Sequence, residues 1–169
     1  YYYHNLNFST AGQFQRLDKE EQEKWTKFVE AGELVLLDSD YINVNDIIPY
    51  IDNFVDETGC YLRKVAYDPA RYEILKELIE RYFFDVDGDN QKPIRQGYAM
   101  SDYIKMFKVQ VELDNVHHNQ DILEWAMMNT AVKIGVSDDY MYTKKLDKDK
   151  IDPVVAMTMA MEVLVLSEI

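Results

Sequence analysis

The sequence predicts an α/β fold, on three observations. Short β-branched or aromatic runs alternate with longer stretches whose apolar residues recur at helical spacing. Two Asp-Pro pairs, at Asp68-Pro69 and Asp152-Pro153, mark boundaries where an apolar run gives way to a helix. The chain has 169 residues, 47% hydrophobic and 29% charged, which suits one globular domain spanning residues 1–169.

Tyr1–Phe8 is aromatic and β-prone and reads as a strand. It begins without a cap or turn, as a native start or as a cut inside a longer protein. Asp18-Lys19-Glu20-Glu21 is a capping-box variant. It opens a helix that carries Trp25, Phe28 and Val29 on one face and stops at Gly32. Glu33–Leu37 reads as a short strand. In Asp46–Asp56, Ile47, Ile48, Ile51, Phe54 and Val55 recur at helical spacing, and Pro49 is expected in the first turn, where it is tolerated. Leu62–Tyr67 reads as a strand. Asp68-Pro69 then starts a helix with the stripe Tyr72, Leu75, Leu78, Ile79, Tyr82 and Phe83.

Asp85–Asn90 reads as a turn or loop, and Lys92–Gly97 as a strand with a turn. Ser101 is expected to cap a helix with Ile104, Phe107 and Val111 inward. Asn119–Asn129 reads as a helix through Ile122, Leu123, Ala126 and Met127. Val132, Ile134 and Val136 alternate in Thr130–Val136, a strand signal. Ser137–Lys150 is polar and charged and reads as a mobile loop. Asp152-Pro153 opens the last helix.

Composition narrows the function classes. The net charge is −13, whereas phosphate binding normally leaves a basic footprint. Charge alone therefore favours an acidic protein without an anionic partner. The competing reading assigns part of the acidity to a metal site. DNA would then be held by a neighbouring domain or by the local cluster Lys144, Lys145, Lys148 and Lys150, which Asp147 and Asp149 partly neutralise. Cys60 is the only cysteine, so an internal disulfide is excluded and a reducing compartment is indicated. No run approaches the ~18 apolar residues of a membrane span, and Val154–Leu166 is too short. Tyr1–Tyr3 is neither basic nor followed by a secretory apolar region. No P-loop motif is present.

Asp68 and Asp152 are the candidate functional residues. In Val65-Ala66-Tyr67-Asp68-Pro69 a carboxylate ends an apolar strand, the place where open α/β sheets bind ligands. Held there it suits a hard cation such as Mg²⁺ or Mn²⁺. Lys150-Ile151-Asp152-Pro153 repeats the arrangement. Taken alone, each Asp is better explained as a helix cap before a favourable first-turn Pro than as a ligand. Three further clusters read as structure. Asp85-Val86-Asp87-Gly88-Asp89-Asn90 lacks the glycine position and final Glu of a calcium loop. His117-His118 reads as a surface turn, since adjacent residues rarely chelate one ion. Met157, Met159 and Met161 read as a core or subunit-facing helix.

An ordered set of blocks covers about Trp25 to Val165. It comprises Val65–Pro69 with the helix after it, Arg95-Gln96-Gly97-Tyr98, Ile122-Leu123-Glu124-Trp125-Ala126, Asn129-Thr130-Ala131-Val132, and Lys144–Lys150 with Ile151-Asp152. This set resembles the nuclease domain of tailed-phage and prophage large terminase subunits. The resemblance implies an RNase H-like fold, a mixed sheet flanked by helices, here without its first strands. It also implies a metal-dependent endonuclease that uses two Mg²⁺ or Mn²⁺ ions to cut concatemeric double-stranded DNA during packaging. Asp68 and Asp152 become the second and third catalytic, metal-ligating carboxylates, and Lys144, Lys145, Lys148 and Lys150 become DNA contacts. The implied partners are double-stranded DNA, an ATPase domain upstream in the same chain, the portal and the small terminase subunit, with no membrane, in the cytoplasm of a bacterial host.

The sequence departs from the family pattern in places. Nothing matches the first catalytic Asp, so the isolated stretch is expected to be inactive. Pro153 replaces the usual Gly, Ala70 and Arg71 stand where a Trp is common, and His117-His118-Asn119 replaces a Gly-rich turn. Two other readings stay open. One is a non-catalytic α/β interaction module with both Asp residues as caps. The other is a different RNase H-like nuclease, such as a resolvase or transposase core.

Overall fold

The computed structural model describes residues 1–83 and 89–165. Helices and short strands alternate along the chain, as the α/β reading requires. Among the described residues the strands form separate two-stranded sheets. β1 (Asn7–Thr10) runs parallel to β2 (Leu34–Leu37), with Asn7 opposite Leu34 and Thr10 opposite Leu37. The aromatic segment before Asn7 contributes only an isolated bridge from Tyr2 to His117, so the strand lies later than the sequence suggests.

Between β1 and β2 run α1 (Ala11–Gln15) and α2 (Lys19–Glu30). Asp18 caps α2 as expected, accepting from the Glu21 N–H at 2.9 Å. Gly32 follows the helix with φ +73°, a left-handed conformation that suits glycine. Trp25 and Phe28 are buried against Leu34 and Ile122.

α3 (Val44–Thr58) begins at Val44 rather than Asp46, because Asn43 is the cap and accepts from the Asn45 N–H at 2.9 Å. Pro49 therefore lies in the second turn, not the first. Its missing N–H there removes a helical hydrogen bond. β3 (Val65–Tyr67) pairs in parallel with β4 (Gln91–Pro93); β3 is shorter than the strand expected at Leu62–Tyr67, and β4 covers only the start of the stretch expected at Lys92–Gly97. A 3₁₀ turn, Pro69–Arg71, leads from β3 into α4 (Tyr72–Phe83). Most of the Asp85–Asn90 turn lies outside the described residues.

α5 (Ser101–Glu112) continues directly from a 3₁₀ turn at Gly97–Met100. Ser101 is thus inside the helix and does not cap it; its Oγ accepts from the Tyr140 N–H at 2.9 Å. α6 (Asp121–Asn129) has no cap from its own neighbour Gln120. The carboxylate of Glu33, distant in sequence, takes that place. Its two oxygens accept from the Asp121 N–H at 3.0 Å and the Ile122 N–H at 2.8 Å. A negative charge at a helix N-terminus is favourable for the free amides and for the helix dipole.

β5 (Thr130–Ile134) forms an antiparallel hairpin with β6 (Tyr140–Lys144). The mobile loop expected at Ser137–Lys150 is therefore overturned over much of its length. The reason is the alternation of Tyr140 and Tyr142, which pack against the buried cluster of Ile94, Met100, Ile104 and Met159. The surrounding charges mask that alternation in the sequence. α7 (Asp152–Val165) closes the fold. It contributes Val154, Met157 and Met161 to the largest core cluster, with Phe107, Leu123 and Ala126, and Met159 to the neighbouring one. The methionines are core, as the sequence reading holds.

Because Glu33 ties β2 to α6, its loss should be felt well beyond its own turn. Glu33→Ala is expected to lower stability by about 1–2 kcal/mol, read as a lower urea midpoint at unchanged slope. An unchanged midpoint would show that the cap contributes nothing.

Candidate functional site

The two Asp-Pro pairs, alike in sequence, differ in structure. Asp68 is half-buried at the end of β3 and is a cap. Its Oδ1 accepts from the Ala70 N–H at 3.0 Å, and the Arg71 N–H donates to its backbone carbonyl at 2.9 Å. Asp152 is exposed and is the first residue of α7 rather than its cap. The helix starts on the Ile151 carbonyl, which accepts from Val154 at 3.0 Å and Val155 at 3.1 Å. Among the described residues nothing forms a hydrogen bond or ion pair with the Asp152 carboxylate.

Asp152 and Ala156 line two clefts at once, so the first turns of α7 form the partition between them. One cleft, of about 460 Å³, brings Asp152 together with Gln96, Met141 and Lys144. The other, of about 630 Å³, brings it together with Lys150, Arg71 and the aromatic rings of Trp25 and Trp125. Asp68 lines neither cleft, but Arg71 of its own 3₁₀ turn lines the larger one, and β3 packs against α7. The cleft cations thus come from separate elements. Lys144 ends β6, Lys150 precedes α7, and Arg71 follows β3.

The other two lysines of the cluster are placed differently. Lys145 is exposed and donates its backbone N–H to the Asn129 carbonyl at 3.0 Å. Lys148 pairs with Glu21 of α2 at 3.3 Å, and Glu21 also holds Lys24 at 2.8 Å. Lys24 in turn lies 5.6 Å above the centre of the Trp125 ring. Asp149, buried, closes the same loop by accepting from the Leu146 N–H at 2.8 Å. The loop that leads to Asp152 is therefore fastened at both Asp149 and Lys148.

Among the described residues no three His, Cys, Asp or Glu side chains gather closely enough to hold a metal ion. Of the His117-His118 pair, His117 is engaged otherwise. His117 exchanges backbone hydrogen bonds with Tyr1 and Tyr3, both at 2.8 Å, and its ring lies 5.2 Å from that of Tyr2. Sequence reasoning missed Arg71, Glu21 and Glu33. Only Arg71 carried a usable signal, as a cation within one turn of Asp68.

Residues 1–168 match the family described as "Terminase large subunit, endonuclease domain". The chain belongs to that family. The terminase large subunits of Lactococcus phage p2 and Lactococcus phage SK1 are each 62% identical to it over 168 residues, or 99% of this chain. The chain spans 31% of the length of each of these terminase subunits. The crystal structure of the HK97 bacteriophage large terminase is similar in fold, with a TM-score of 0.74 at 16% identity, over 90% of this chain and 31% of that one. The α/β terminase-type fold is thus shared at low identity.

Glu21 lets the loop before Asp152 be tested in this terminase domain. Burial would raise its pKa, but the hydrogen bonds and charges of Lys24 and Lys148 outweigh burial and hold it below the ordinary 4.5. A lowered folded-state pKa contributes stability that is present above the unfolded value and is lost as pH falls through the folded one. Glu21→Gln is therefore expected to lower the urea midpoint at neutral pH. The gap to the parent protein should close as pH drops below 4.5. A gap that stays constant down to acid pH would mean that Glu21 is not held as an ion.

Proposed function

We propose that this chain is the RNase H-like endonuclease domain of a phage DNA-packaging terminase and cuts concatemeric double-stranded DNA with the help of divalent metal ions. The observation that carries the reading is Asp152. Its carboxylate is unengaged by the described residues and stands on the partition between two clefts. A carboxylate held on a buried helix, yet without a partner among the described residues, is available to a ligand.

Asp68 and Asp152 are proposed as the carboxylates of this stretch that hold Mg²⁺ or Mn²⁺. Their oxygen donors are of the hard kind that both ions prefer. The set falls short in number, however, since among the described residues no three His, Cys, Asp or Glu side chains gather to hold a metal. We therefore place the remaining carboxylate in another part of the full-length subunit, of which the chain spans 31% in its relatives. Bound there, two metal ions would supply an activated water and charge neutralisation at the leaving oxygen. The chain's own contribution is then positional. α7 fixes Asp152, the capped turn fixes Asp68, and Lys144 and Lys150 present cations on either side of Asp152 for backbone phosphates. Lys145 and Lys148 extend that surface, with Lys148 partly committed to Glu21. The upstream ATPase domain, portal and small subunit are proposed to hold the DNA, which reconciles cutting with a net charge of −13. The site of action is proposed to be the cytoplasm of the bacterial host.

The test is plasmid nicking with Mn²⁺ by the full-length subunit. Asp152→Asn and Asp68→Asn are each expected to slow nicking by more than about a hundredfold, since losing a metal ligand exceeds the loss from an outer partner. Residues 1–169 alone are expected to be inert. Both variants cutting at the parental rate would overturn the reading.

A further inference from the structure

We propose that Arg71 is a substrate-binding residue of this site, gripping a backbone phosphate of the DNA strand beside Asp152. The inference rests on the endonuclease reading and adds to it a contact that the lysine cluster does not include. Arg71 lies in the 3₁₀ turn directly after Asp68, and it lines the cleft that Asp152 and Lys150 also line. It is the residue that links the two candidate carboxylates, belonging to the turn of one and to the cleft of the other.

Its backbone is fixed. The Arg71 N–H donates to the Asp68 carbonyl at 2.9 Å, while the Asp68 side chain accepts from Ala70 at 3.0 Å. Any element that positions Asp68 therefore positions the root of Arg71 as well. Its side chain is exposed. Among the described residues it forms no salt bridge, in a chain with 31 acidic residues against 18 basic ones. Arg81, by contrast, is satisfied by Asp52 at 2.9 Å. A guanidinium left unpaired next to a carboxylate site suits an anion from outside the protein.

Phosphodiester oxygens match it best, because the planar fork donates two parallel hydrogen bonds to them.

The experiment uses the full-length subunit and a duplex oligonucleotide. Binding is measured against salt for Asp152→Asn and for the same protein carrying Arg71→Ala or Arg71→Lys. Nicking is measured with Arg71 substituted alone. Removing one phosphate contact is expected to lower the slope of log affinity against log salt by about one. Arg71→Lys keeps the charge and should keep the slope, while losing the fork. Arg71→Ala should slow nicking by about tenfold to a hundredfold, as expected for a charge-assisted pair of hydrogen bonds, with an unchanged melting temperature. An unchanged slope and unchanged nicking in Arg71→Ala overturn the proposal, even when Asp152→Asn is inactive. Asp152→Asn and Asp68→Asn proteins that both cut at the parental rate overturn the endonuclease reading instead, and the binding slopes then decide Arg71 independently.

Discussion

Burial of α7 is the constraint on which the rest of the structure depends. Val154, Met157 and Met161 enter one core cluster, Met159 enters another, and Thr158 is fully buried between them. The Thr158 hydroxyl is shared with the Tyr142 hydroxyl at 2.9 Å and also donates to the Val154 carbonyl at 2.9 Å. β6 is thereby tied to the helix, and burial pushes the Tyr142 pKa up to about 12, so the phenol stays protonated. A helix packed on several faces has one position. Its first residue, Asp152, inherits that position while remaining exposed.

The same constraint explains how an acidic chain presents cations where they are useful. Many of its basic residues are spent on acidic neighbours, as in Lys76 with Glu80 and Lys108 with Glu112. Such exposed pairs contribute little to stability. Lys144, Lys150 and Arg71 are spent on none among the described residues, and all line a cleft with Asp152. Net charge averages over the surface and so hides this local arrangement.

Much of the fold was legible because local signals and tertiary packing agree. The Asp18 cap, the Trp25 and Phe28 face, the Gly32 stop and the stripe of α4 all follow from residues close in sequence. Where a distant partner decides, the sequence was silent. Glu33 caps a helix far along the chain, and Ser101 turns its hydroxyl to Tyr140 instead of capping. β6 was obscured because its tyrosine alternation is embedded among lysines and aspartates. The candidate site was legible in part. Asp68 and Asp152 stand out as strand-to-helix carboxylates, but the sequence gives no ground to distinguish the cap from the free acid. That distinction arises because α7 begins on the Ile151 carbonyl, a consequence of how the helix is seated.

The central claim is that Asp68 and Asp152 converge on one divalent cation. Diffraction at the manganese absorption edge, from crystals of the full-length subunit soaked in Mn²⁺, tests it most directly. An anomalous peak bonded to carboxylate oxygens of both residues, together with a carboxylate from outside residues 1–169, is the expected result. Manganese bound elsewhere, with Asp68 engaged only as the cap of its turn and Asp152 facing solvent, would contradict it.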